Sequence, residues 1–86
     1  MSKPRKYKTH QASVYHLHLH TFEGKYFISY GTTIVFIDSE GKVTLDKAYW
    51  EYSRATIKHR IGFLGEPTDE TRTKIKSGEY KLANLN

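Results

Sequence analysis

Residues 52–66 read YSRATIKHRIGFLGE, and this stretch predicts one amphipathic helix. Ser53 is the predicted N-cap, because its hydroxyl can accept a hydrogen bond from a free N–H group of the first turn. The apolar residues that follow have the i, i+4, i+7 spacing of one helical face: Ile57, Ile61 and Leu64. Gly65 is expected to end the helix, because glycine tolerates a left-handed backbone. An alternative, which we favour less, starts the helix earlier with Asp46 as its cap.

The residues before this helix have the two-residue period of β-strands. Residues 12–21 alternate in polarity and form the first predicted strand. Residues 26–38 are rich in β-branched and aromatic residues and form the second, in which Gly31 indicates a bulge or a bend. Residues 42–45 form the third. The turns between these strands are too short for a parallel crossover, so we predict an antiparallel meander.

The residues after the helix predict a second, shorter one. Residues 67–70 begin it, with Thr68 as the cap and acidic residues beside the positive end of the helix dipole. Gly78 ends this helix, and Tyr80 and Leu82 are expected to return as a short edge strand. The sequence therefore predicts an α+β fold, with a three- to four-stranded antiparallel β-meander packed on one main α-helix and a short second helix.

The positive charge of the chain is concentrated near its N-terminus. The 86 residues carry a net charge of +5, from 14 basic and 9 acidic side chains. Four basic residues lie within the first eight positions: Lys3, Arg5, Lys6 and Lys8. We therefore interpret residues 1–11 as a basic, mobile tail and residues 12–86 as a single α+β domain.

The composition also narrows the class of protein. The chain has no cysteine, so it has no disulfide framework and no thiolate metal site. No window reaches the roughly 18–20 apolar residues of a membrane span, and the charged N-terminus lacks the apolar core of a signal peptide. Glycine-rich phosphate loops and marked catalytic motifs are also missing. We therefore predict a soluble, intracellular binding protein that is not an enzyme and needs no cofactor.

Two segments carry a family resemblance. Residues 29–34 read SYGTTI, residues 52–59 read YSRATIKH, and residues 63–64 are Phe-Leu. This combination resembles small uncharacterised proteins of phages and prophages of Gram-positive bacteria, in which an S-Y-x-T-x-I strand precedes a Y-S-x-T-T-x-K-H segment. The chain departs from that pattern at Ala55, where threonine is expected, and at Gly31, where an acidic residue is expected. The resemblance implies a phage protein in the host cytoplasm, without implying an activity.

The main helix offers a cationic face that fits nucleic acid. Arg54 and Lys58 share a face at i, i+4 spacing, and free N–H groups and hydroxyls at a helix start suit a phosphate. The basic tail would add phosphate contacts. The predicted nucleic-acid contacts are Lys3, Arg5, Lys6, Lys8, Ser53, Arg54, Lys58, His59 and Arg60.

An aromatic cluster just before the helix supports a second hypothesis. Tyr49, Trp50 and Tyr52 could form a protein-binding hot spot, a stacking platform for bases or part of the core. We favour core closure with one or two of the three rings exposed. The alternative function is therefore an inhibitor or modulator of a host protein, of the anti-defence type, that acts through this surface or a sheet edge. A free edge would also allow a homodimer.

The histidines at 16, 18 and 20 share one face of the first predicted strand. Neighbouring members lie about 7 Å apart at Cα, so one H-x-H pair could chelate an ion, while the outer two lie about 13 Å apart. A metal site would need further ligands, for which Glu23 and Asp38 are unplaced candidates. We favour a row of solvent-facing rings over a metal site.

Overall fold

Six strands and two helices follow one another along the described residues, 7–13 and 15–86, of the computed structural model. The elements are β1 (Tyr7–Ser13), β2 (His16–Thr21), β3 (Gly24–Ser29), β4 (Thr32–Asp38), β5 (Val43–Asp46), α1 (Arg54–Leu64), α2 (Thr68–Ser77) and β6 (Lys81–Ala83). The strands form one sheet in chain order, and each of the first five pairs antiparallel with its neighbour. β6 pairs with β5 in parallel, because the two helices supply the crossover that a parallel connection needs.

The α+β class is confirmed, but the sheet formed by the described residues has six strands where three to four were predicted. Residues 26–38 form two strands that are joined by a two-residue turn, Tyr30–Gly31, with Ser29 paired to Thr32. Tyr30 and Gly31 both have positive φ, 52° and 76°, as the tight turn of a hairpin requires. The bulge or bend predicted at Gly31 within one strand is therefore a hairpin turn between two strands. The first predicted strand likewise divides: residues 12–13 lie in β1 and residues 16–21 lie in β2.

A β-bulge does occur in β4, three residues further along. Phe27 pairs with Val35 and Ile28 pairs with Thr33, so Ile34 is an extra residue in β4. Ile34 is 1% exposed and Val35 is fully buried, and both belong to the same core cluster. The bulge therefore directs two consecutive side chains into the core, which a regular strand would send to opposite faces.

The three histidines of β2 lie on the sheet face that α1 covers. His16 pairs with Ser29 and His18 pairs with Phe27, which is the centre of the core. His16 is only 3% exposed, and the ring of His18 meets the edge of Phe63 from α1 at 4.9 Å between centroids. The predicted row of solvent-facing rings is therefore wrong for His16 and His18, because alternation shows that residues share a face but not which face is covered.

Helix α1 has the predicted ends but a different buried face. Ser53 accepts a hydrogen bond from the backbone N–H of Thr56, and Gly65 has a φ of 73° at the other end. The buried residues are Thr56 and Arg60, whereas Ile61 is 36% exposed. Of the predicted apolar face, Leu64 packs against the core cluster and Ile57 is partly buried, whereas Ile61 is exposed and the fully buried positions are polar. Residues 47–51 form turns before α1, so the alternative with an earlier helix start is wrong.

A buried carboxylate, Glu66 in the α1–α2 loop, connects this loop to α2 and to Tyr80, which directly precedes β6. Glu66 accepts hydrogen bonds from Thr71 Oγ1 at 2.6 Å, from Lys74 Nζ at 2.8 Å and from the Tyr80 hydroxyl at 2.8 Å. Burial by itself would raise the pKa of Glu66, but the hydrogen bonds from Lys74, Thr71 and Tyr80 outweigh it and hold that pKa below its usual value. The ionised form of Glu66 therefore stabilises the packing of the C-terminal half.

The N-terminal region is described from residue 7. Residues 7–11, which we predicted as part of the tail, lie in the edge strand β1, and Lys8 pairs there with His20. The predicted tail residues Lys3, Arg5 and Lys6 lie outside the described residues. Within the described part of the chain, no helix has the length and apolarity that crossing a membrane requires.

Candidate functional site

The two segments that carry the family resemblance meet through a chain of hydroxyl groups. Ser29 at the end of β3 is hydrogen-bonded to Thr56 of α1, with 2.8 Å between their hydroxyl oxygens. Ser53 donates to Thr56 Oγ1 at 3.1 Å and accepts from the Thr56 N–H at 3.2 Å. These bonds fix the start of α1 on the sheet. They also commit the hydroxyl proton of Ser53, which we predicted as a phosphate contact, to a bond inside the protein.

Two histidines stack beside this hydroxyl chain. The rings of His16 and His59 lie 3.9 Å apart at their centroids, with 19° between their planes. Burial, followed by the charge of His59, lowers the pKa of His16 below its ordinary value of 6.5. His59, which we predicted as a nucleic-acid contact, is thus half-buried and supports the end of the sheet.

The stacked histidines predict a pH-dependent stability. The pKa of His16 is lower in the folded chain than in the unfolded chain, so its contribution is present above pH 6.5 and is lost as the pH falls below that value. We expect the free energy of unfolding, measured with urea, to fall between about pH 7.5 and about pH 5.5. His16→Gln should remove most of this fall. The exposed His20, changed to Gln, is the matched control and should keep it; an equal fall in all three proteins would contradict the assignment.

Two exposed tyrosines extend the histidine stack towards solvent. Tyr15 and Tyr30 stack with centroids 5.0 Å apart and 19° between planes, and they are 59% and 50% exposed. The Tyr30 ring also meets His16 edge to face at 5.2 Å. The four rings of Tyr15, Tyr30, His16 and His59 form what we call the aromatic row. It lies where the β1–β2 loop, the β3–β4 turn and α1 come together.

Arg54 and Lys58 are exposed cations one turn apart on α1. Both side chains are exposed, and neither forms an ion pair with a described residue. Arg72 and Lys74, by contrast, pair with Glu51 and Glu66. Four further lysines are exposed without an ion pair to a described residue, as Arg54 and Lys58 are: Lys25, Lys47, Lys76 and Lys81. The charge of Arg54 and Lys58 is therefore available to an anionic partner. Lys58 directly precedes His59 on α1, and Arg54 lies one turn earlier on the same helix.

Arg60 is buried, so the predicted nucleic-acid contact at this position is wrong. Its side chain is 0% exposed, and Nη1 donates to the Trp50 carbonyl at 2.8 Å. Nη2 donates to the Thr68 hydroxyl, and the guanidinium lies 4.9 Å from the centroid of the Trp50 ring. Burial lowers the pKa of this guanidinium. Arg60 therefore links α1 to the turns before it and to α2, and it contacts no solvent.

Trp50 likewise lies in the core. It is 8% exposed, and its ring packs against Arg60 on α1 and against Arg72, which lies 5.3 Å from the ring centroid. Tyr49 and Tyr52 remain exposed and meet edge to face at 5.4 Å. Core closure with some rings exposed, the favoured interpretation of this cluster, therefore describes it well, and Trp50 is not available to a protein partner.

The start of β1 and the cations of α1 lie at opposite ends of the sheet. Ser13 pairs with His16, beside the aromatic row, whereas Tyr7 pairs with Thr21 at the far end. The six residue steps between Tyr7 and Ser13 span about 20 Å. The chain therefore enters the described structure far from Arg54 and Lys58.

Two other features of the described structure are weaker candidates for a functional site: a cleft and the possible metal ligands. A cleft of about 360 Å³ is lined by Asp46, Tyr49 and Asn86 among others. The Asp46 carboxylate there accepts from four N–H groups, of Ala48, Tyr49, Leu85 and the Asn86 amide, so it is already satisfied. Among the described residues, no group of three His, Asp or Glu side chains is placed to hold a metal ion.

Comparison with known proteins gives a family and no activity. Residues 2–80 match the model of a family of unknown function. No curated protein and no solved structure matches the chain.

Proposed function

The chain belongs to DUF8033, a family of unknown function, and we propose that it is a non-enzymatic protein that binds nucleic acid through α1. The observation that carries this proposal is the pair of exposed cations one helical turn apart, Arg54 and Lys58, neither of which forms an ion pair with a described residue. The resemblance to phage and prophage proteins at residues 29–34 and 52–59 extends the proposal to a phage-encoded protein in the cytoplasm of a bacterial host.

Charge and shape support a phosphate-binding role for α1. Arg54 and Lys58 are one helical turn apart, so their side chains project from the same side of the helix. Lysine and arginine that neutralise phosphates release condensed counterions, and this release drives binding. The basic residues Lys3, Arg5, Lys6 and Lys8 add charge near the N-terminus, where they would strengthen binding at low salt without forming part of the α1 site.

Removing both α1 cations is expected to weaken nucleic-acid binding roughly tenfold at low salt, because two phosphate contacts are lost. The measurement is fluorescence anisotropy with labelled single-stranded and double-stranded DNA and the variant Arg54→Ala/Lys58→Ala. The matched control is Lys76→Ala/Lys81→Ala, which removes the same charge from exposed positions elsewhere. Equal losses in both variants would mean that only net charge matters, and this would refute the α1 site.

A second candidate function is inhibition or modulation of a host protein. Two observations favour it: β1 is an edge strand that can accept another strand, and Tyr49 and Tyr52 are exposed. Because Trp50 is buried, its substitution would test folding and not binding. The informative variant is Tyr49→Ala/Tyr52→Ala, which should abolish a salt-resistant complex with one host protein. Loss of nucleic-acid binding in the same variant would instead assign these rings to the first function.

A further inference from the structure

Charge alone does not distinguish single-stranded from double-stranded nucleic acid, but exposed rings of the aromatic row can make this distinction. Resting on the proposed function, we infer that Tyr15 and Tyr30 form a stacking platform and that the nucleic acid bound here is single-stranded. Base stacking on aromatic side chains is strong and tolerant of sequence, because every base has a flat face. In a duplex those faces are covered by neighbouring base pairs. An unpaired strand therefore offers a base to an exposed ring without the cost of unstacking a duplex.

The platform presents ring surface to solvent. Tyr15 and Tyr30 lie nearly parallel, with 19° between their planes, and each has half or more of its surface exposed. A core-forming role would bury these rings, as it buries Phe27 at 0% exposure. The other exposed tyrosine pair, Tyr49 and Tyr52, meets edge to face at 73°. A parallel pair extends naturally into a longer stack, whereas an edge-to-face pair does not.

The backbone holds the two tyrosines in place. The N–H of Tyr30 donates to the carbonyl of Tyr15 at 2.8 Å, which ties the β3–β4 turn to the β1–β2 loop. The Tyr30 ring is further held by the edge of His16, and His16 is stacked on His59 of α1. Little ordering is therefore required when a base binds, and preorganisation of this kind raises affinity.

The same contacts couple the platform to the cations. His59 supports the aromatic row from α1, and Lys58 precedes it on the same helix. A strand whose base stacks on Tyr15 or Tyr30 and whose backbone follows α1 would bring its phosphates to Lys58 and Arg54. This combination of stacking rings and a basic surface is the usual composition of sites for unpaired nucleic acid.

The test removes one ring while keeping the turn. Tyr30 has positive φ, and asparagine tolerates this conformation well, so Tyr30→Asn creates a favourable Asn-Gly turn without the ring. The control is Phe22→Ala, which removes a 72% exposed ring from the β2–β3 turn at the other end of the sheet. Thermal unfolding of each variant checks the fold.

Binding of labelled oligo-dT, oligo-U and a DNA duplex of equal length is then measured at physiological salt. We expect wild type and Phe22→Ala to prefer single strands, and Tyr30→Asn to lose roughly 5- to 100-fold in single-strand affinity with little change for the duplex. The two single strands decide between DNA and RNA. Unchanged single-strand binding by Tyr30→Asn, with a loss in Arg54→Ala/Lys58→Ala, would overturn the platform alone. Absence of binding to all three probes would overturn the proposed function as well.

Discussion

Replacing Arg60 with alanine is expected to lower the free energy of unfolding by about 2–5 kcal/mol. The guanidinium is fully buried, and it satisfies the Trp50 carbonyl and contacts the Thr68 hydroxyl. Alanine leaves both acceptors without this donor, opens a cavity beside Trp50 and removes the cation–π contact with its ring. A loss of this size is a large fraction of the stability of a small domain.

Urea denaturation at neutral pH measures this effect. The control is Arg54→Ala, which removes the same side chain from an exposed position of the same helix and should change stability by less than about 0.5 kcal/mol. Arg60→Met keeps much of the buried volume, so it should cost less than alanine. Arg60→Ala with a stability close to that of Arg54→Ala would contradict the buried role of Arg60.

Replacing Glu66 with alanine is expected to cost about 3 kcal/mol. This change leaves the buried Thr71 hydroxyl and the Tyr80 hydroxyl without their shared acceptor and removes the ion pair with Lys74. The matched control is Glu70→Ala, because the exposed Glu70 also pairs with Lys74, at 3.2 Å. An exposed pair of this kind contributes less than about 1 kcal/mol.

Glu66 also gives a pH signature that separates it from His16. Its pKa is lower in the folded chain than in the unfolded chain, so its contribution is present above the ordinary value of 4.5 and is lost as the pH falls through the folded pKa. Unfolding followed from about pH 5 downwards should therefore show a loss of stability in wild type that is smaller in Glu66→Ala. The same loss of stability with falling pH in wild type and in Glu66→Ala would contradict the stabilising role of the ionised Glu66 carboxylate.

Sequence reasoning correctly predicted the features that depend only on residues close together in the chain. Ser53 caps α1 and Gly65 ends it, because a cap depends on one hydroxyl and one tolerant backbone position. The division of residues 26–38 into two strands was missed because Gly31 was interpreted as a bulge or a bend within one strand. The dipeptide Tyr30–Gly31 between two alternating segments is the signal that would have revealed a hairpin, and with it the exposure of Tyr30 beside Tyr15.

The features that sequence reasoning missed depend on tertiary partners. Periodicity placed His16, His18 and His20 together but could not choose between the covered and the open face of the sheet. Arg60 resembles any surface arginine in the sequence, and only the distant Trp50 carbonyl and Thr68 hydroxyl explain its burial. Arg54 and Lys58 were correctly predicted to be exposed. Their exposure follows from the helical spacing and does not depend on a distant partner.

The salt dependence of single-strand binding tests the proposed function most directly. The logarithm of the dissociation constant is plotted against the logarithm of salt concentration for wild type, for Arg54→Ala/Lys58→Ala and for a variant with Lys3, Arg5 and Lys6 changed to serine. If α1 contacts two phosphates, the α1 variant should reduce the slope by roughly 1.4 and should bind more weakly at physiological salt. An unchanged slope in the α1 variant, with all salt dependence lost in the N-terminal variant, would contradict a nucleic-acid site on the folded domain.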